Sequence, residues 1–558
     1  MGEKPKGYGF SVPKLRPYLQ GFFFFLYLYL FVTISFPLQK SLLTNFFFNI
    51  DPLVALIMVL TGSVIFSGLF ISLIMIVVTV IFGRIFCGWM CPMGTVLDLT
   101  AQVMPKKKAL RTFGDSRFKN IKYYVLSFLV LGSIAGFSAV MMFDPIVFLS
   151  RIFTVNLYPF FVLIINQGLN LIRPLALSAG MYELSMISIE QPVFTLGLLN
   201  LIVFLAVIGL VAVERRFWCR NLCPLGAILA AFSRFSLHGR RVSDSCINCA
   251  KCARECPMNA IGGDFHETSY RECIQCERCA GVCPTDAITF EFDRPGTGLA
   301  FNPSRRGMLF SGTGGILTAL AAGSAISTKS TAGTLLRPPG SIVEQDFLDA
   351  CLRCGECMKA CPTHALQPAL NQAGIEGLFT PVLVPRIGAC EEQCNICGHI
   401  CPIGAIRALP LIEKQYAVIG NAMINRQRCI AWEQGTVCLI CDEVCPYDAV
   451  EFRLVTDEKG AIKRPFVLED KCVGCGQCEK GCPVNGPAAI FVTPVNEVRK
   501  NSGSYITEKV RKLREVKDDL VDFSKEKGEQ PPAVDTGDII PEDDSADFDN
   551  DMPEGFIQ

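Results

Sequence analysis

The chain has 558 residues, half of them hydrophobic, and its 52 basic and 52 acidic side chains cancel to a formal charge of zero. That length calls for several domains, and the missing basic excess excludes nucleic acid as a partner. Twenty-eight cysteines in so long a chain exclude a small disulfide scaffold, and their repeated C-x2-C spacing points to metal ligation.

Apolar runs crowd the chain before residue 215. A helix crosses a hydrocarbon core about 30 Å thick with roughly 20 apolar residues. Segments at about 19–37, 62–84, 123–143 and 193–213 meet that length. The stretch from Pro52 adds an interfacial or tilted helix. Residues 146–172, broken by Arg151, Asn156, Pro159 and Asn166, read as re-entrant or surface-lying. Basic residues precede the first span (Lys4, Lys6, Lys14, Arg16), fill the loop before the third (Lys106 to Lys122) and follow the fourth (Arg215 to Arg241). With four spans all three groups share one side, the cytoplasm by the positive-inside rule. Residues 1–235 thus read as a polytopic α-helical membrane domain, multi-pass in the inner (cytoplasmic) membrane.

Just past the second and fourth spans stand Cys87-Gly88-Trp89-Met90-Cys91-Pro92 and Cys219-Arg220-Asn221-Leu222-Cys223-Pro224. At equal depth they supply four thiolates to one metal cluster, or form a dithiol pair for redox exchange, or make two turns that dock a soluble domain.

Residues 236–300 form the next domain. Each iron of a [4Fe–4S] cube takes one thiolate; C-x2-C-x2-C wraps three corners, and a fourth cysteine followed by Pro reaches the neighbouring cube. The run occurs at Cys246-Cys249-Cys252-Cys256-Pro257 and at Cys273-Cys276-Cys279-Cys283-Pro284. The expected sets are Cys246, Cys249, Cys252 with Cys283, and Cys273, Cys276, Cys279 with Cys256. Zinc also takes four thiolates, but from two separated knuckles rather than runs of this kind. The four histidines, His238, His266, His364 and His399, lie outside the apolar runs, which excludes a bis-histidine haem in the bilayer. No C-x2-C-H occurs, which excludes covalent haem. The redox centres are built on sulfur.

In 301–328, Ser304-Arg305-Arg306-Gly307-Met308-Leu309-Phe310 opens a Gly/Ala-rich apolar run, the pattern of a twin-arginine export signal or a fifth membrane helix. On that reading the following domain, 329–500, lies in the periplasm. It carries four more motifs: Cys351-Cys354-Cys357-Cys361, Cys390-Cys394-Cys397-Cys401, Cys429-Cys438-Cys441-Cys445 and Cys472-Cys475-Cys478-Cys482, each ending in Cys-Pro. Six [4Fe–4S] clusters follow, and a seventh at Cys87, Cys91, Cys219 and Cys223 would use every cysteine. Residues 501–558 form a charged tail, with a helix at 505–525 and an acidic, disordered end. The fold class is a helical membrane domain plus α+β ferredoxin-like modules of the bacterial two-cluster type.

The paired C-x3-C-P motifs on a four-span domain, followed by two ferredoxin motifs, resemble the NapH/MauN family of membrane ferredoxins over roughly 15–295. The remainder resembles the NapG/MauM family of exported four-cluster ferredoxins, so the chain looks like a fusion of the two. The resemblance implies an electron-transfer subunit, a component of a quinol dehydrogenase, relaying electrons between the quinone pool and a redox partner such as a cytochrome or a periplasmic reductase. By analogy with four-cluster electron-transfer subunits, the first motif of 329–500 pairs with the last and the second with the third. No catalytic or quinone-binding residue is assigned. The rival reading is a maturation factor whose clusters feed metal or cofactor insertion into a partner oxidoreductase.

Overall fold

The computed structural model describes residues 12–35, 45–61, 68–104, 118–136, 138–178, 180–186, 189–292, 304–328, 335–370, 372–374, 376–457 and 460–506. The charged helix expected at 505–525, the acidic tail and most of the basic loop before the third span lie outside them.

Among the described residues, ten helices of eight residues or more build the first architecture: α1 Val12–Thr33, α2 Pro52–Leu60, α3 Gly68–Phe82, α4 Pro92–Val103, α5 Ile121–Ile134, α6 Pro145–Ile152, α7 Tyr158–Ser178, α8 Gly197–Gly209, α9 Pro224–Ser233 and α10 Arg305–Thr328. Two of them start on Asp-Pro. Asp51 accepts from the Leu53 and Val54 amides, and Asp144 from those of Ile146 and Val147. Each carboxylate satisfies orphan donors of its first turn, and the proline occupies a position whose N–H is unused. α4 and α9 start on Cys-Pro, with Cys91 and Cys223 at the N-cap positions; of the two, the Cys223 sulfur accepts from a first-turn amide, that of Gly226.

Among the described residues, two helical runs are long and apolar enough to cross a membrane, Leu15–Thr33 and Pro145–Ser178. The first matches an expected span. The second corrects the expectation of a re-entrant or surface-lying stretch at 146–172, because α6, a π-turn at Phe153–Leu157 and α7 run on as 34 helical residues. The polar residues that argued against it are paired inside. Arg151 Nε donates to Asn200 Oδ1 at 3.3 Å, and Asn156 Nδ2 donates to the Gly197 carbonyl at 2.7 Å. The other expected spans appear as shorter apolar helices, Gly68–Phe82, Ile121–Ile134 and Gly197–Ala212. Large apolar side chains stand exposed along this domain, among them Phe22, Phe70, Ile74, Phe160, Leu198 and Ile202.

The cysteine-rich parts carry little regular structure. In 236–292, β1 (His238–Val242) pairs antiparallel with β2 (Ile288–Phe292), so the first and last strands clasp the unit. In 335–506 the ladders are β3 (Leu366–Pro368) with β4 (Pro381–Leu383), β5 (Asn421–Ile424) with β8 (Ile490–Thr493), and β6 (Val450–Asp457) with β7 (Gly460–Val467). Each is two-stranded, too small to hold a domain alone.

The two units sit at opposite ends of the helical domain, and α1 measures the interval. Arg16 Nε donates to the Gly88 carbonyl at 3.0 Å, beside the 236–292 unit, where Trp89 Nε1 donates to the Gln275 carbonyl at 2.9 Å. At the other end Lys359 Nζ, from the 335–506 unit, donates to the carbonyls of Phe31 and Ile34, each at 2.6 Å. The helical rise from Arg16 to Phe31 is about 22 Å. Gln367 adds a second tie there, accepting from the Thr195 amide at 3.1 Å and donating to the Val193 carbonyl at 3.0 Å.

α10, the segment that opens on Arg305-Arg306, packs along α5. Ser127 Oγ donates to the Met308 carbonyl at 3.2 Å, and a β-carbon on Gly315 would lie 2.3 Å from the Phe128 carbonyl oxygen. Only glycine permits that approach. Gly315→Leu should therefore force the helices apart at a cost of about 1–3 kcal/mol, read as a lower unfolding temperature; an unchanged midpoint would mean that the two helices do not pack this way.

Candidate iron–sulfur centres

The cysteines of 236–292 gather as the spacing predicts. Cys246, Cys249, Cys252 and Cys283 line one cavity of about 300 Å³, and Cys256, Cys273, Cys276 and Cys279 line another of about 360 Å³. Each motif thus gives its last cysteine to the other set.

In 335–506 the same crossing occurs, but between different partners from those expected. Cys429, Cys438 and Cys441 share a cavity of about 380 Å³ with Cys482, and Cys472, Cys475 and Cys478 share one of about 340 Å³ with Cys445. The third motif is therefore paired with the fourth. Cys354 and Cys357 feel the charges of Cys351 and Cys401, whereas Cys390, Cys394 and Cys397 feel Cys361. The first motif is paired with the second. The expected pairing of first with last and second with third is overturned, because chain neighbours cross over locally. The long first gap of the third motif is taken up by a π-turn at Ile430–Gln434, which follows Cys429 directly.

The remaining four cysteines also meet. Cys87, Cys91, Cys219 and Cys223 are all buried in the core of the helical domain. Burial pushes the Cys91 and Cys223 thiols well up, and the charges of Cys219 and Cys87 push further. Burial likewise takes Cys219 to about 11. The two motifs share one local shape. Phe86–Met90 and Trp218–Leu222 are both π-turns, closed by the Cys91 amide on the Phe86 carbonyl and the Cys223 amide on the Trp218 carbonyl, each at 2.9 Å.

Two arginines missed in the sequence reading complete this site. Arg84 and Arg216 each stand three residues before the first cysteine of their motif, a repeat that comparison of the two segments would have revealed. Both are fully buried, and each reaches across to the other motif. Arg216 donates to the Cys87 carbonyl at 2.7 Å and to the Gly94 carbonyl at 3.3 Å. Arg84 Nη2 lies 3.9 Å from Cys87 Sγ and 2.8 Å from where a β-carbon on Gly226 would sit. Their counter-ions come from elsewhere: Asp98 for Arg216 at 2.9 Å, and Glu272 of the 236–292 unit for Arg84 at 3.3 Å. Against the upward push of burial, Arg216 and Arg16 hold the Asp98 carboxyl well below the usual range. Lys122 also binds Glu272, at 2.6 Å. Removing one member of such a buried pair typically costs about 3–5 kcal/mol. Gly88, between Cys87 and Cys91, lets the docked unit close in, since a β-carbon there would meet the Ile274 carbonyl oxygen at 2.2 Å.

The donor sets fit iron–sulfur cubes. All 28 cysteines are free of disulfides. Burial raises Cys273, Cys441 and Cys475 to about 12, with neighbouring thiolates adding to the effect, so these groups stay protonated until a bound metal draws off their protons. Backbone N–H groups point at cluster-facing sulfurs: Ala260 at Cys256 (3.3 Å), Ala449 at Cys445 (3.3 Å), Ala489 at Cys482 (3.4 Å) and Gly226 at Cys223 (3.2 Å). Such bonds stabilise charge on the thiolates and tune reduction potential.

Comparison with known proteins agrees. The model of a 4Fe-4S binding domain matches residues 64–111, 196–243 and 396–410, and that of a 4Fe-4S dicluster domain matches 272–365 and 436–485. The chain is thus an iron–sulfur protein with ferredoxin-type domains. It is 39% identical over 204 residues to the methylamine utilization ferredoxin-type protein MauM of Methylorubrum extorquens, covering 35% of this chain and 90% of that protein. It is 36% identical over 186 residues to the ferredoxin-type protein NapG of Escherichia coli, covering 32% of this chain and 78% of that one. The chain belongs to the MauM/NapG family of ferredoxin-type proteins.

The crossed pairing predicts how iron is lost. Each cube holds about four irons, so Cys445→Ser combined with Cys472→Ser should lose no more iron than either change alone. Cys445→Ser combined with Cys390→Ser should lose about twice as much. Iron analysis after anaerobic purification reads the difference, and the reverse pattern would restore the pairing of the second motif with the third.

Proposed function

We propose that this protein is a membrane-bound electron relay between the quinone pool and a redox partner, with six [4Fe–4S] clusters in its two cysteine-rich units and a seventh at Cys87, Cys91, Cys219 and Cys223. The observation that carries the reading is the apolar core of the helical domain. It holds those four thiols, takes in Cys276 from one unit and reaches Cys354 of the other. The exposed apolar belt on the helices supports a lipid surround. The resemblance of the first part of the chain to NapH/MauN-type membrane ferredoxins supports the quinol role, and the Arg305-Arg306 pattern ahead of an apolar run supports a periplasmic 335–506 unit.

The clusters would supply one-electron chemistry. The chain's own residues bind them, bury them away from water, and set their electrostatics through Arg84, Arg216 and the N–H···S bonds. Electron transfer between fixed sites needs no acid or base, in keeping with the absence of an assigned catalytic residue.

Seven clusters give about 28 irons per chain and six give about 24; Cys219→Ser should remove the difference while leaving the ferredoxin signals intact. Titration with a menaquinol analogue, alone and with copurified partners, should reduce the clusters, and no reduction in either case would remove quinol from the scheme. Replacing Arg305 and Arg306 by Lys should abolish an export-dependent reporter fused near residue 340; a reporter that stays active in the variant would put the unit elsewhere.

A further inference from the structure

The two cluster-bearing units are set about 22 Å apart along α1, and the question is whether they serve separate partners or each other. Tracing contacts inward from both ends gives a short route. Trp218 precedes Cys219 and its ring stacks on Phe148 of α6, with centroids 6.0 Å apart and planes 19° from parallel. One turn further along α6, the Arg151 guanidinium lies 5.6 Å from the Phe148 ring and 4.4 Å from that of Phe379, which belongs to the 335–506 unit. Arg151 also feels the charge of Cys354. Three residues on, Thr154 Cβ lies 3.2 Å from where a β-carbon on Gly355 would sit, and Gly355 stands between Cys354 and Cys357. The rise from Phe148 to Thr154 is about 9 Å, far less than the ~30 Å of a hydrocarbon core.

Everything along the route is dry. Trp218, Phe148, Ile152 and Phe153 are buried members of the same core as Cys219 and Cys354. The other motif also places an aromatic before its first cysteine, Phe86, but among the described residues it is Trp218 that stacks on α6. Beyond each end the cluster sites continue in contact. Cys276 belongs to the same core as Cys87, Cys357 feels Cys397, and the Cys390 amide donates to the Cys475 carbonyl at 2.8 Å.

We propose that Trp218 and Phe148, with Arg151 beside them, form the electron bridge between the Cys87/Cys91/Cys219/Cys223 site and the Cys351/Cys354/Cys357/Cys401 site, joining both sets of clusters into one wire through the helical domain. The inference rests on the relay reading and on the seventh cluster. The step moves one electron between clusters, oxidising the donor site by one and reducing the acceptor site by one, with no bond made or broken and no proton moved; upstream, oxidation of one quinol to quinone supplies the electrons for two such steps and releases two protons to water. Trp218 and Phe148 are positioning residues here, since they touch neither substrate nor iron.

The test uses the full chain in sealed vesicles, with dithionite added outside and cluster reduction followed by freeze-quench EPR. The wild type should show a prompt phase from the outward set and a second phase from the set reached through the protein. Trp218→Leu and the milder Phe148→Leu should each slow the second phase roughly tenfold, with iron content and EPR line shapes unchanged. Trp218→Phe, which keeps an aromatic ring, should restore most of the rate. An unchanged second phase in both leucine variants, or a Trp218→Phe rate as slow as that of Trp218→Leu, would show that the ring serves packing alone. A wild type with no second phase would overturn the wire while leaving the relay reading to the quinol titration, which fails or succeeds for each set separately.

Discussion

Crowding of buried thiols is the constraint on which this molecule depends. Four sets of four cysteines line shared cavities in the cysteine-rich units, four more thiols are buried in the helical core, and a thiol held there is protonated until metal binds. The ladders of 335–506 are two-stranded and short, so hydrogen bonding between strands cannot hold that unit. Its core is sulfur together with apolar residues, large ones such as Phe347, Met358 and Ile400 and small ones such as Ala422, Ala449 and Ala489. Metal binding and folding are therefore one event in both cysteine-rich units.

The helical domain adds a different device, an exchange of charge between two similar halves. Arg216 crosses to the Cys87 motif and finds Asp98, while Arg84 crosses toward Gly226 and finds Glu272 in the docked unit. Neither half is electrostatically complete alone. The Glu272 side chain, also held by Lys122, makes docking of the 236–292 unit part of the same network. Positive charge is thereby fixed beside four buried thiols without a mobile counter-ion.

What the sequence disclosed follows from how local each signal is. The ligand runs are short, so the sets of the 236–292 unit could be written down from spacing, including the exchange of Cys256 and Cys283. Which of four motifs cross over is a question of tertiary proximity, and analogy chose the wrong partners. Hydropathy read Arg151 and Asn156 as interruptions because it sees composition; the structure pairs them with Asn200 and the Gly197 carbonyl inside a continuous helix. Arg84 and Arg216 were visible as a repeat, but their exchange between motifs was not, since nothing local to either records where its guanidinium ends.

The crossed ligands impose an order on biogenesis. The site at Cys87 and Cys91 lacks half its thiols until Cys219 and Cys223 are made. At usual rates of synthesis that interval is on the order of ten seconds. Cys351 likewise waits for Cys401, and Cys445 for Cys472. In the proposed scheme each cube draws its thiolates from two motifs, so its ligand set is complete only when the partner segment arrives. Cluster delivery is then a late step, gated by completion of each motif pair.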